Sequence, residues 1–298
     1  MYTGTDLIID RPICIFGTGR SGTTLFLDLV SRHPSLTWFS NYTNRFPKFP
    51  ELAALSRVLD IPGVGTYLNP KWPLTPKPKE AVPLVRYLTN GTFTQPRPLT
   101  KQDATPETIK RYRHHVAAHI RFHGKDRFVQ KHTGFPRIGY LSEVFPDAYF
   151  INVIRDGRAV VNSTMHIRWW DGTMKSWWWG SMNPNYQQEY LASDKEPAVL
   201  AAIIWKTIMD HNEEARAEVP THRYFTVRYD RLVADPRETM AQVLKFSDLS
   251  PSSTFQKRIA TVPVRDEDSK WKRQLTKDQI AKVEKCLDAH LARYGYTD

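Results

Sequence analysis

The chain has 298 residues, with 42 Lys and Arg against 31 Asp and Glu, a formal net charge of +11. At ~150 residues per domain, this length allows one or two domains with a sizeable core. A composition 41% hydrophobic and 12% aromatic, without a long biased tract, excludes collagen, coiled coil and disorder.

Pro12 to Phe16 is an apolar run ending in glycines, the pattern of a buried parallel strand. Thr23 to Arg32 follows with Leu25 and Leu29 at helical spacing, and Pro34 stops it. Residues 46–106 are punctuated by eleven prolines, which predicts an irregular insertion packed on the core rather than a separate domain. Thr105-Pro106 starts a helix with Ile109, Tyr112, Val116 and Ile120 on one face, closed by Gly124. Arg127 to Lys131 reads as a second strand, Arg137 to Phe145 as a short helix, and Ala148 to Ile154 as the clearest β run. A helix opens at Pro197, and Tyr224 to Arg228 reads as a fourth strand. Asp235-Pro236 and Thr276 to Gln279 are helix-starting caps. Strands alternating with helices predict an α/β fold, a central parallel sheet flanked by helices on both faces.

Two cysteines, Cys14 and Cys286, are too few for a disulfide framework or a four-cysteine zinc site. No apolar stretch approaches the ~20 residues of a membrane span, and the N-terminus lacks the basic start and apolar core of a signal peptide. A soluble, cytoplasmic protein is expected, with peripheral membrane contact left open. His115, His119 and His123 fall at i, i+4 and i+8 of one helix without an accompanying carboxylate motif. They are expected to form a stripe open to solvent or ligand, not a metal site.

Gly17-Thr18-Gly19-Arg20-Ser21-Gly22-Thr23-Thr24 lies between strand and helix, where backbone N–H groups and a helix N-terminus hold phosphate. The spacing matches a nucleotide P-loop except that Thr23 stands in place of the lysine. That lysine reaches the terminal phosphates of ATP or GTP, so a P-loop kinase-like phosphotransferase is the weaker alternative. A basic nucleic-acid binder is a third, but no recognisable module for one is present.

The RSGTT of this loop resembles the 5′-phosphosulfate loop of sulfotransferases that use 3′-phosphoadenosine 5′-phosphosulfate (PAPS). Val153 to Ser163 (VIRDGRAVVNS) is similar to the family's 3′-phosphate element, which maps that role onto Arg155 and Ser163. Gln130-Lys131 before FPDAYFINVIRD, the stretch Val227 to Pro236, and Ser269 to Thr276 (SKWKRQLT) resemble further family motifs in the expected order. The resemblance implies one P-loop-like sulfotransferase domain over 1–298, with PAPS as donor, adenosine 3′,5′-bisphosphate (PAP) as product and no metal. It implies donor binding by Gly19, Arg20, Ser21, Gly22, Thr23, Thr24, Arg155 and Ser163, by Tyr229 near the adenine, and by Lys270, Trp271, Lys272 and Arg273 from a late basic loop. Arg20 and Lys131 would stabilise charge on the transferring group.

The base is harder to assign. Relatives with an RSGTT loop often carry a glutamate beyond the first helix and its His-Pro pair. Here His33-Pro34 is followed by Ser40 to Arg45, which holds no carboxylate. The cytosolic class uses a histidine at a Lys-Thr-His strand end, and Lys131-His132-Thr133 has its histidine one position early. His132 is therefore the candidate base, with Glu51 as another.

Residues 168–190 read as a lid-like segment, and 168–179 contain five of the nine tryptophans. Trp169, Trp170, Trp177 and Trp178 are candidates to bind the acceptor, a carbohydrate, glycolipid or other small molecule with flat apolar faces, or else to form a packed cluster. Residues 71–131 hold 13 Lys and Arg against 4 Asp and Glu, nine of the net eleven charges. This concentration is expected to steer the donor or recognise an anionic acceptor. Oligomeric state is not legible.

Overall fold

The run after Pro12 forms strand β1 (Ile13–Gly17), buried along its whole length. In the computed structural model, which describes residues 8–61 and 72–297, helix α1 (Thr23–Val30), strand β2 (Leu36–Trp38) and helix α2 (Asn41–Arg45) follow. Then come α3 (Val82–Leu88), α4 (Pro106–His123), β3 (Arg127–Thr133), α5 (Ile138–Val144), β4 (Tyr149–Ile154) and α6 (Gly157–Met165). The C-terminal part contains α7 (Pro184–Ala192), α8 (Pro197–Arg216), β5 (Tyr224–Arg228), α9 (Tyr229–Ala234), α10 (Pro236–Phe246), α11 (Ser253–Ile259), α12 (Trp271–Gln274) and α13 (Lys277–Tyr294). No helix among the described residues is long and apolar enough to cross a membrane.

The strands form one parallel sheet in the order β2-β3-β1-β4-β5. Consecutive strands are joined by crossovers, so helices cover both faces, as the strand–helix alternation predicts. The expected sheet lacked β2, whose three residues are too few to show a period. Ile13 and Ile15 face one apolar cluster with Phe26 and Leu29 of α1 and Met240 and Val243 of α10. Cys14 and Phe16 face the other, with Tyr112 and Val116 of α4 and Phe145. Along β3, Phe128 belongs to the α4 side and Val129 to the α1 side. The two-residue period then sends Lys131 and Thr133 to the α1 side and His132 to the α4 side.

Helix α4 starts at a Thr105 capping box and ends at Gly124, φ 73°, as its boundary residues predict. Its histidines correct the expectation of an open stripe, for His115, His119 and His123 are all buried. On a helix these positions lie next to Tyr112, Val116 and Ile120, inside the same core-facing arc. His119 meets the Phe39 ring edge-on at 5.0 Å, and His123 Nδ1 lies 2.8 Å from Thr37 Oγ1. Burial pushes His115 down to about 3 and His119 and His123 to about 4.

The described part of residues 46–106 holds a 3₁₀ stretch, Pro50–Asp60, the short α3 and two 3₁₀ turns. Leu84, Val85, Leu88 and Leu99 join the cluster that contains Phe16 and Phe128.

Candidate functional site

The site forms at the C-terminal ends of the strands around β1, where the crossovers diverge to either side. The chain leaves β1 at Gly17, and Ser21 Oγ donates to Thr18 O at 2.7 Å to close the loop. Gly22 is the N-cap of α1 with φ 88°, and no side chain caps the helix. The first amides of α1 are therefore presented to an anion, with the helix dipole behind them. A Cβ on Gly22 would lie 2.2 Å from Tyr229 Cδ2, so the tyrosine ring fixes the loop from below. Gly22→Ala is expected to cost about 2 kcal/mol or more through the positive φ and the clash, and to abolish binding of a phosphate ligand at the loop. Thermal unfolding and titration calorimetry check both effects.

Arg20 adopts φ 68°, and its Nε donates to Ser163 Oγ at 2.9 Å. Arg155 Nη1 donates to Arg20 O at 3.2 Å, and its guanidinium lies 4.4 Å from the Tyr229 ring centroid. Arg20, Ser163, Arg155 and Tyr229, drawn from three separate segments, thus meet at the loop. Arg155 also donates from Nε to Asp268 Oδ1 at 2.8 Å and from Nη2 to Glu267 O at 3.2 Å. Lys131 reaches the other side, with Nζ donating to Thr24 Oγ1 at 2.9 Å and pairing with Glu80 at 3.1 Å. The cationic groups and bare amides suit a ligand with two separate anionic groups.

His132 stands apart from this cluster. It lies on the opposite face of β3, buried, meeting the Phe93 ring edge-on with 4.9 Å between ring centroids, and burial pushes it down to about 4. The strand's alternation, not the proximity in sequence to Lys131, decides its direction, so the geometry does not support it as the base. Glu51 is exposed in the first turn of the Pro50–Asp60 stretch. Glu80, which the sequence reading passed over, sits beside Lys131 instead.

The late basic segment also departs from expectation. Trp271 is buried, with the Arg158 guanidinium 4.5 Å from its ring, so its faces are committed to the core. Lys270 pairs with Glu267 at 2.7 Å, and Arg273 is exposed on the same turn. Trp271 and Lys272 edge a cavity of ≈280 Å³ that also carries Asp156, Asp230, Asp266 and Asp268. Arg158 lines the same cavity and pairs with Asp156, while Asp268 pairs with Arg155 and Asp230 with Arg228. Of the expected grip, Trp271 does not present a free ring face to a nucleotide in this arrangement.

A larger cavity of ≈550 Å³ opens from the loop at Thr18, Gly19 and Arg20. Thr133 and Gly134 close one side, Val160, Thr164 and Ile167 another, and Ala201, Ile204, Trp205 and Ile208 of α8 a third. Trp169 and Trp178 line it, as does Trp179. Trp170 and Trp177 do not; both pack into the adjacent core, and Trp177 Nε1 donates to Gly180 O at 2.6 Å. Only the pattern of burial separates the two pairs, and five tryptophans in twelve residues carry no period to reveal it. The α8 residues belonged to an apolar helix with no mark of a binding wall.

Residues 12–253 match the model of the sulfotransferase family. The omega-hydroxy-beta-dihydromenaquinone-9 sulfotransferases Stf3 of Mycobacterium bovis and Mycobacterium tuberculosis are each 25% identical over 317 aligned positions. The alignments cover 97% of this chain and 76% of theirs. Among solved structures, sulfotransferase STF9 from Mycobacterium avium aligns with TM-score 0.59 at 17% identity, over 97% of this chain and 78% of that one. STF1 from Mycobacterium tuberculosis aligns at 0.56 and 17% identity, over 95% and 78%. The phosphate loop, its arginines and the adjoining cavity lie within the matched span, and the chain belongs to the sulfotransferase family, enzymes that move a sulfuryl group onto an acceptor.

Proposed function

We propose that PAPS is the donor and that the acceptor is the hydroxyl of an apolar small molecule seated in the ≈550 Å³ cavity. The observation that carries this reading is the cavity wall, which is predominantly apolar and ends at Arg20 of the phosphate loop. An acceptor lying along the tryptophans would bring one hydroxyl to the loop and keep its carbon skeleton out of water. The relatives named for a hydroxylated dihydromenaquinone agree with a hydroxyl acceptor of this kind. In this reading the amides of Gly22, Thr23 and Thr24 hold the 5′-phosphosulfate, with Arg20 and Lys131 on its charge. Arg155 and Ser163 take the 3′-phosphate and Tyr229 borders the adenine.

The wall does not favour an anionic glycan, and neither does the basic segment. Arg97 pairs with Asp103, Arg111 with Glu107, Lys125 with Asp60 and Lys131 with Glu80. Arg113 and Arg127 donate to backbone carbonyls. Much of the charge expected to recognise an acidic acceptor is thus engaged within the fold.

The test is PAPS-dependent sulfation of farnesol, simple phenols and anionic oligosaccharides. Turnover of the apolar alcohol or the phenols, and not of the oligosaccharides, is the expected result; the reverse would overturn the reading. Trp178→Ala removes a ring that is 67% exposed and lines the cavity. It should lower kcat/KM for farnesol by about 10-fold and leave PAP affinity unchanged.

A further inference from the structure

The carboxylate missing from Ser40 to Arg45 is delivered to the same place by another segment. Asn41 N donates to Lys77 O at 3.2 Å, Lys79 N donates to Phe39 O at 2.8 Å, and Ser40 and Pro78 form an antiparallel bridge. This pairing carries Glu80 to the end of β3. Its Oε1 accepts from Thr133 N and Thr133 Oγ1, each at 2.6 Å, and its Oε2 lies 3.1 Å from Lys131 Nζ. Thr133 is part of the cavity wall, and the wall itself holds no carboxylate or imidazole. Among the described residues, Glu80 is the carboxylate that hydrogen-bonds a residue of that wall.

We propose that Glu80 is the general base that takes the acceptor's hydroxyl proton, placed by Thr133 at the mouth of the acceptor cavity and by Lys131 beside the phosphate loop. The proposal rests on the donor and acceptor reading given above. As the acceptor oxygen bonds to sulfur, its O–H bond breaks and the proton passes to a Glu80 oxygen. The bond from sulfur to the 5′-phosphate oxygen breaks, and that electron pair leaves with PAP. Charge and atoms balance without a further reactant.

The electrostatic setting agrees with this role. Burial pushes Glu80 up, but Lys131 and the two Thr133 donors outweigh it and hold the group below the usual glutamate range. Glu80 is therefore ionised at neutral pH. Lys131 touches both the carboxylate and Thr24 of the phosphate loop, so the base and the donor site share one lysine.

The test compares 4-methylphenol, which must lose a proton during reaction, with 4-nitrophenol, which is ionised at mildly alkaline pH without help. Glu80→Gln should lower kcat on 4-methylphenol by about 10²-fold or more, yet on 4-nitrophenol by less than about 5-fold. Its PAP affinity should stay within about 3-fold of wild type, which separates lost chemistry from a distorted donor site. Glu80→Asp, a shorter carboxylate, should recover part of the 4-methylphenol rate. Equal losses on the two phenols, or none on 4-methylphenol, would overturn the assignment. If wild type binds PAP and sulfates neither these phenols nor farnesol, the acceptor reading fails. The Glu80 assignment is then decided on PAPS hydrolysis, where water must lose its proton and Glu80→Gln must again be slower by about 10²-fold.

Discussion

Arg155→Ala is expected to raise the Kd for PAP by about 10²-fold or more, because it removes two or three charge-assisted hydrogen bonds from a desolvated site. The Arg155 side chain is only 9% exposed. It is set in place by the Arg20 and Glu267 carbonyls and by the face of Tyr229. Arg155→Lys should recover little, since an ammonium lacks the planar fork that meets phosphate. A carboxylate already lies on this arginine, Asp268 Oδ1 at 2.8 Å from Nε. A 3′-phosphate must compete with it, so Asp268→Asn should tighten PAP binding while Arg155→Ala weakens it. Titration calorimetry on the two variants gives opposite signs if the mapping is right. A Kd for Arg155→Ala within about 3-fold of wild type would remove Arg155 from the donor site.

The second large effect is acid instability. His115, His119, His123 and His132 are all buried and held at about 3 to 4 against an ordinary 6.5. The folded chain keeps them neutral, whereas the unfolded chain takes up protons below that ordinary value. Their contribution is therefore complete above about pH 6.5 and is lost as the pH falls toward 4. At about pH 5 each histidine loses roughly 2 kcal/mol, so the four together approach the whole stability of a typical domain. Tm should be nearly level above neutrality and fall steeply below pH 6.5. His119→Gln should reduce that slope by about one proton. The pair between Arg97 and Asp103, with the carboxyl held at about 2, fails only at much lower pH and cannot account for a transition near 5. A Tm unchanged between pH 7 and pH 5 would contradict the burial of these imidazoles.

Much of the candidate donor site is legible in the sequence because its residues follow strand ends. An arginine directly after an apolar strand and a serine eight residues later have fixed directions once strand and helix are recognised. Arg155 and Ser163 accordingly meet at the loop with Arg20. Proximity to Lys131 does not bring His132 to the loop, because the alternation of β3, which Phe128 and Val129 define, turns it to the other face. Trp271 beside lysines has one sequence signature whether its ring stacks on a nucleotide or on Arg158. Glu80 left no local trace at all. Its position depends on residues 77–79 pairing with Phe39 and Ser40, a contact between distant parts of the chain. The histidines of α4 were read from their polarity, although their angular positions put them beside Val116 and Ile120.

The central place of β1 in the sheet also governs when the enzyme can come into being. Ile13 pairs with Val129 on one side and Tyr149 on the other, both more than a hundred residues further along the chain. Closing such a span costs entropy that grows only with the logarithm of its length, so the proline-rich excursion burdens the rate of folding more than its end point. During synthesis the RSGTT loop emerges before Lys131, which arrives with β3, and before Arg155, which follows β4. Until then the loop, with its own Arg20, has neither Lys131 nor Arg155 beside it. In the proposed donor reading, affinity for the nucleotide is then acquired in steps on the ribosome, and a chain that stops short of β4 carries the phosphate loop without Arg155.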